Sequence, residues 1–212
     1  MCASKGSTTT KKMVEQGYDQ VAGAYARLEG EEKWPRMRWL KKLLSRLEPG
    51  SSVLDLGCGS GDPADIEIAR SHKVTGVDIS QAQIDLARQN VPAGRFIHSD
   101  AETIKFPPAS FDAVVSFYTL EHIPREKHSR VLRCIYRWLK AGGIFLLSME
   151  AGEYDNETGT WLGVPMFISC YSPEIMRQLI LSEGFDLLET AIETQREGTV
   201  EVPYHWIIAR KP

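Results

Sequence analysis

"VLDLGCGSGDP", residues 53 to 63, sets three glycines at alternate positions just after a short apolar run that contains one aspartate. Glycine has no Cβ, so Gly57, Gly59 and Gly61 let the chain turn sharply and let a ligand touch main-chain N–H groups. The run before them reads as a strand. Asp62-Pro63 after them reads as an N-cap with proline at the first helical position. Such a helix start adds free N–H groups and partial positive charge to the same space. Asp55, inside the strand, costs desolvation energy unless it is paired or hydrogen-bonded. A ligand ammonium, or a glycine loop in need of an anchor, accounts for it.

Outward from this turn, apolar runs alternate with helical patterns. Residues 34–47 place Leu40, Leu43, Leu44 and Leu47 on one helical stripe. Residues 74–79, 95–100, 111–118 and 144–149 read as further strands. Ser80 and Gln83 form a capping-box pair opening a helix to about Gln89. A helix from Pro124 to about Lys140 is stopped by Gly142-Gly143, and Ser172-Pro173-Glu174 opens another that closes at Gly184. Residues 186–193 and 200–210 end the chain as antiparallel neighbours. The fold class is α/β: a Rossmann-like three-layer sandwich on a mostly parallel seven-stranded sheet, one antiparallel strand coming from the C-terminal hairpin. The expected division is a flexible tail, 1–14, and one domain, 15–212, with a helical cap over about 15–48 and a lid insertion over about 149–171. Ligands of such sheets bind at the carboxyl ends of the strands.

Acidic residues sharpen the site. Asp78 ends the second strand, 17 residues after Gly61, the offset at which a carboxylate grips ribose hydroxyls. Asp100 ends the third, where it can accept from an adenine amino group. Three successive strand ends with a glycine turn, an Asp and an Asp describe an adenosine site. A dinucleotide turn read from Gly57 would put Asp62 against phosphate; read from Gly59 it would end on Ala64, so a nicotinamide dinucleotide stays open. S-adenosylmethionine, which carries an ammonium and no phosphate, suits Asp55 better.

"VLDLGCGSG", "VTGVDIS", "HSDAETIKFPPASFDAVVSFYTLEHI" and "RWLKAGGIFLLSM" resemble successive motifs of the Rossmann-like (class I) S-adenosylmethionine-dependent methyltransferases. The resemblance covers about residues 15–150 and is nearest the type-11, quinone-biosynthesis-like branch. It implies S-adenosyl-L-methionine as cofactor, with Asp55, Gly57 and Gly59 at its methionine part and Asp78 on the ribose. Asp100, Ala101 and Glu102 would hold adenine, Phe117 would close the site, and Cys58, Ile79 and Gln83 belong to the same set. "GYDQVAGAY", residues 17–25, is similar to the family's entrance segment, with Tyr18 and Tyr25 over the cofactor.

A sulfonium methyl is already activated, so alignment and exclusion of water do most of the work. His122 is the candidate general base, with Glu121 beside it. Trp161, Met166, Phe167 and Tyr171 are candidates for an acceptor pocket, and Tyr204, His205 and Trp206 on the last strand can touch the acceptor or merely pack. The acceptor is read as a small molecule. A non-catalytic adenosine-ligand sensor and an NAD(P)-dependent oxidoreductase are the alternative functions.

Composition narrows the class. The 212 residues suit one domain, and a net charge of −3 offers no field to nucleic acid. Residues 1–42 hold nine Lys/Arg against five Asp/Glu, which fits a solvated face. Four cysteines without a C-x-x-C pair read as reduced thiols in a cytoplasmic protein with no metal site. No apolar run reaches the ~18 residues of a membrane span. Monomer and homodimer both remain open.

Overall fold

The structure, a computed structural model, describes residues 5–31 and 35–212, with side chains over 9–25 and 35–212. In chain order the elements are α1 (Lys5–Glu31), α2 (Arg36–Leu44), β1 (Ser52–Leu56), α3 (Ala64–Ala69), β2 (Lys73–Asp78), α4 (Gln81–Asn90) and β3 (Arg95–His98). There follow β4 (Phe111–Phe117), α5 (His128–Trp138), β5 (Leu139–Glu150), β6 (Tyr154–Trp161), β7 (Val164–Cys170), α6 (Pro173–Ser182), β8 (Asp186–Glu197) and β9 (Val200–Arg210).

Seven strands form one sheet in the order β3-β2-β1-β4-β5-β9-β8. β9 runs antiparallel to both neighbours, and the pairs from β3 to β5 are parallel. The strands are apolar on both faces because both faces are covered. Val53, Val74, Val115, Leu146 and Ile208 pack under α2, α3 and α4 with Trp39, Leu40, Ile68 and Ile84. Leu54, Leu56, Val114, Phe145 and Ile207 pack under α5 and α6 with Leu132, Ile135, Met176 and Ile180. This three-layer arrangement is the one read from the sequence, and strand order reverses between β1 and β4.

Several local expectations are corrected. Residues 5–14 of the expected tail are the first turns of α1; residues 1–4, and Trp34 at the head of the expected second helix, lie outside the described residues. α2 is not a cap: Trp39, fully buried, stacks on Trp206 with centroids 5.8 Å apart and planes at 11°, so α2 covers the sheet. Asp62 does not cap α3; Pro63 holds the cap position, without a side-chain cap bond, after a cis Asp62–Pro63 peptide. α5 ends at Trp138, and Gly142-Gly143 lie in β5, whose pairing with β4 shifts register between Phe111 and Ala113. The expected irregular lid is a hairpin, β6–β7, turning at Leu162 and Gly163, both at positive φ.

α1 lies over the carboxyl ends of the strands. It packs on β7 through Val14 against Met166 and Phe167. Asp19 ties it to α4: its Oδ1 accepts from Ser80 Oγ at 2.6 Å and from the Ala82 N–H at 3.2 Å. Ser80 also caps α4, accepting from the Gln83 N–H at 3.2 Å. Ser80→Ala is therefore expected to cost about 1 kcal/mol of stability in urea denaturation, the usual worth of an N-cap.

Candidate active site: two joined cavities at the strand tips

The glycine turn is folded as its sequence requires. Gly57, Gly59 and Gly61 have φ of +84°, +54° and +75°, the left-handed region that side chains with a Cβ rarely adopt. Asp78 clamps the turn: Oδ2 accepts from the Gly59 N–H at 2.9 Å and Oδ1 from the Ser80 N–H at 2.9 Å. Each carboxylate oxygen keeps a second acceptor position. Burial raises the Asp78 pKa to about 6, against the opposing pull of those backbone bonds.

The first cavity opens at this turn. Gly57, Gly59, Asp78, Ile79, Asp100, Ala101, Glu102 and Phe117 line it, as the sequence placed them, and Tyr18 and Tyr25 of α1 form its other wall. Gln83 is fully buried beside Gly59, and both its amide atoms lack a hydrogen-bond partner. A cradle of bare backbone and an acceptor-rich carboxylate fit a polar nucleoside group.

Three expected cofactor residues do not line this cavity. Asp55 lies beneath the turn on β1, 2% exposed, beside Asp65. Burial, then the Asp55 charge and a hydrogen bond with Asp55, hold the Asp65 carboxyl well above its ordinary pKa, with Arg36 pulling the other way. Asp55 thus belongs to a buried acid pair under the turn. Cys58 is buried behind the loop against Gly76, and burial pushes its thiol well up. Gln83 stands behind Gly59 rather than on the surface of the cavity.

Lys11 of α1 went unnoticed in the sequence because it fell in the expected tail. Its ammonium pairs with Asp100 Oδ2 and with Glu102 Oε1 at 3.1 Å, and Glu102 Oε2 also meets Lys127 at 3.0 Å. Both acids at the adenine end are therefore tied to α1.

The second cavity, about 420 Å³, shares Tyr18, Tyr25, Tyr118 and His122 with the first. Trp161 and Met166 line it, as expected. Phe167 and Tyr171 do not. Along β7, Met166 and Ile168 face the cavity, so Phe167 points away, packed with Val14. Tyr171 lies edge-on to His128 at 5.9 Å and under the Arg125 guanidinium. Tyr204 is on the lining, whereas Trp206 packs against α2. Tyr118 sits at φ +55°, a strained setting for a non-glycine residue in the wall between the cavities.

His122 joins the two cavities. Its Nδ1 lies 2.8 Å from the Phe167 carbonyl, which only accepts, so Nδ1 carries the hydrogen. Nε2 then accepts from the Tyr18 hydroxyl at 2.8 Å. Burial lowers the His122 pKa, keeping the ring neutral near pH 7.

Glu121, Glu150 and Glu197 also face the second cavity. The fold brings them from three distant segments, and no local motif announces them. Burial raises the Glu121 pKa to about 8, and the Glu150 and Glu197 charges add to this against a bond from the Glu150 N–H. A folded pKa above the unfolded 4.5 gives stability that is complete below 4.5 and lost as pH rises through about 8. Glu121→Gln should therefore raise the stability by a few kcal/mol at pH 9 and change it little at pH 5, read from melting temperatures across pH.

The methyltransferase-domain family matches residues 53–143. The demethylmenaquinone methyltransferase of Listeria welshimeri is 30% identical over 146 residues, 64% of this chain and 61% of that enzyme. The chain thus spans less than two thirds of the length of those relatives. An uncharacterised methyltransferase of Synechocystis sp. is 31% identical over 163 residues, 76% of this chain and 74% of the relative. The Burkholderia thailandensis 1,6-didemethyltoxoflavin-N1-methyltransferase, solved with 1,6-didemethyltoxoflavin and S-adenosylhomocysteine, superposes with a TM-score of 0.74. It is 17% identical, with 100% of this chain and 92% of that one covered, a likeness of fold. The family match takes in the glycine turn, Asp78, Asp100, Phe117 and His122 around the first cavity, and the chain belongs to the S-adenosylmethionine-dependent methyltransferases.

Proposed function

We propose that this chain transfers a methyl group from S-adenosylmethionine, held in the first cavity, to a small molecule held in the second. The observation that carries the reading is the junction of the two cavities at Tyr18, Tyr25, Tyr118 and His122, directly beside the glycine turn. The cofactor supplies an activated methyl on a sulfonium. The protein supplies position and shelter.

Asp78 would take the ribose hydroxyls on its unused acceptor positions, and Gly57 and Gly59 bring main-chain amides to the ligand. Asp100 and the Ala101 and Glu102 backbone would hold adenine, with Lys11 screening or giving way. Tyr18, Tyr25 and Trp161 cover the junction with aromatic surface and keep water out. An acceptor proton can pass to neutral His122, reached through the Tyr18 hydroxyl, or, where high pH or a bound cation ionises it, to the Glu121 carboxylate; both border the second cavity. Orientation and exclusion of water supply the rate.

The quinone-ring acceptor named in the Listeria relatives is not carried over. Gly159 to Tyr204, much of the second cavity, lies outside the matched residues 53–143. The test is incubation of the purified chain with methyl-labelled S-adenosylmethionine and a metabolite extract. Labelled product together with S-adenosylhomocysteine is expected. S-adenosylhomocysteine binding without transfer to any extract would favour a ligand sensor instead.

A further inference from the structure

The second cavity has a one-sided chemistry. Its lining includes Glu121, Glu150 and Glu197 and, among the described residues, no Lys or Arg. None of the three acids joins an ion pair among the described residues. Neighbours hold them in place: Glu197 Oε1 accepts from the Tyr204 hydroxyl at 2.7 Å and from Gln195 Nε2 at 2.9 Å. Glu150 accepts from the Tyr154 hydroxyl at 2.5 Å.

Glu121 is 5% exposed, and its Oε2 accepts from the Glu150 N–H at 2.7 Å. Its other oxygen makes no hydrogen bond among the described residues and faces the cavity. An acceptor without a partner at a cavity wall is open to a donor on a guest.

The same cavity carries a cluster of rings. Tyr18, Tyr25 and Trp161 lie with centroids 5.8, 5.8 and 5.1 Å apart, each pair steeply tilted. Tyr118 and Tyr204 add an edge-on pair at 4.8 Å. Aromatic faces attract cations through their quadrupole, and more strongly where water is excluded. Two independent features, an unpaired acid set and an aromatic cage, thus favour one sign of charge. An anionic guest would meet repulsion from the charged acids and would oppose ionisation of Glu121.

We infer that the second cavity selects an acceptor bearing a protonated amine beside an apolar or aromatic body, and that the methyl group goes to that nitrogen. This rests on the donor assignment proposed above. The balance is simple. The ammonium first gives a proton to a cavity carboxylate. The nitrogen lone pair then forms the N–C bond as the S–C bond breaks onto sulfur, and the methylated ammonium carries off the sulfonium's charge.

The electrostatics give a second consequence. Around Glu121 stand His122, Glu150, Glu197, Tyr154, Cys170 and Tyr204. Burial lowers the His122 pKa, while Tyr154 is pushed up by its bond to Glu150 and then by burial. Burial, then the nearby carboxylates, pushes up Cys170 and Tyr204. None of them supplies positive charge near pH 7, so without a guest the repulsion is relieved by protonating Glu121. A bound cation replaces that proton, and its affinity rises as pH rises toward and through about 8.

The test is calorimetry on the full chain saturated with S-adenosylhomocysteine, using phenethylamine, 2-phenylethanol and 3-phenylpropionate as probes of matched body. The amine should bind at least about tenfold tighter than the alcohol, and the carboxylate weakest. Glu150→Gln and Glu121→Gln should each weaken the amine at least about threefold, leaving S-adenosylhomocysteine affinity unchanged. Phenyltrimethylammonium, which does not titrate, should bind tighter at pH 9 than at pH 6.5. Equal binding of amine and alcohol, preference for the carboxylate, or indifference to both substitutions overturns the inference. Failure of S-adenosylhomocysteine to bind would strike the donor assignment itself, whereas its binding with no amine preference defeats this inference alone.

Discussion

Gly57→Ala should unfold in urea with a loss of about 2–4 kcal/mol, the sum of a strained backbone and an overpacked contact. Gly57 sits at φ +84°, and a Cβ there would meet Thr119 Cγ2 at 2.6 Å and its hydroxyl closer still. Thr119 cannot swing away freely, because its hydroxyl donates to the Phe117 carbonyl at 2.9 Å. Gly142 supplies the comparison: φ is +76° and nothing lies within 4 Å of its missing Cβ. Gly142→Ala isolates the backbone term and should cost about 1 kcal/mol. Equal losses for the two variants would show that Thr119 does not bear on the turn. Because the turn is also the floor of the first cavity, Gly57→Ala should lose affinity for S-adenosylhomocysteine as well.

Asp78→Ala should weaken S-adenosylhomocysteine by roughly 2 kcal/mol, about 30-fold, the scale of a lost charged hydrogen-bond partner. The variant removes the acceptors for both the Gly59 and Ser80 amides, so the turn loosens while the sheet stays intact. Burial gives this effect a pH signature. The charged form of Asp78 is the better acceptor, and its pKa lies near 6. Wild-type affinity should therefore fall as pH drops below about 6, and the affinity of the variant should not follow it. Calorimetry from pH 5 to pH 8 separates the two. Parallel curves for both proteins would remove Asp78 from the site.

How far the sequence discloses this molecule depends on where each requirement is local. A sharp turn at a strand end needs glycine, and a ribose clamp at the next strand end needs a carboxylate. The glycine turn, Asp78 and Asp100 were therefore legible, and the mostly parallel sheet with one antiparallel strand followed from alternation and the final hairpin. The β6–β7 hairpin was not, because it turns on Leu162-Gly163. Both residues take positive φ, but Leu in the first position hides the usual Asn-Gly or Asp-Gly signal. The start of α1 was hidden for another reason. "KGSTTT" is poor helix sequence, and contacts with β7 and α4 further along α1 hold the helix against the domain. Glu121, Glu150 and Glu197 come from the β4–β5 connection, the end of β5 and the end of β8. Their convergence is a property of the sheet order, so their spacing in sequence carries no pattern. Phe167 failed as an acceptor contact by one strand position, the error that a period of two makes easiest.

The central claim is that neighbouring strand tips form an adenosine site suited to a sulfonium rather than a pyrophosphate. Isothermal titration of the purified chain with S-adenosylmethionine, S-adenosylhomocysteine and NAD+ tests it most directly. The account predicts one saturable site for each sulfur nucleoside, competition between the two, and no heat from NAD+. Saturable binding of NAD+ with none of either sulfur nucleoside would contradict it.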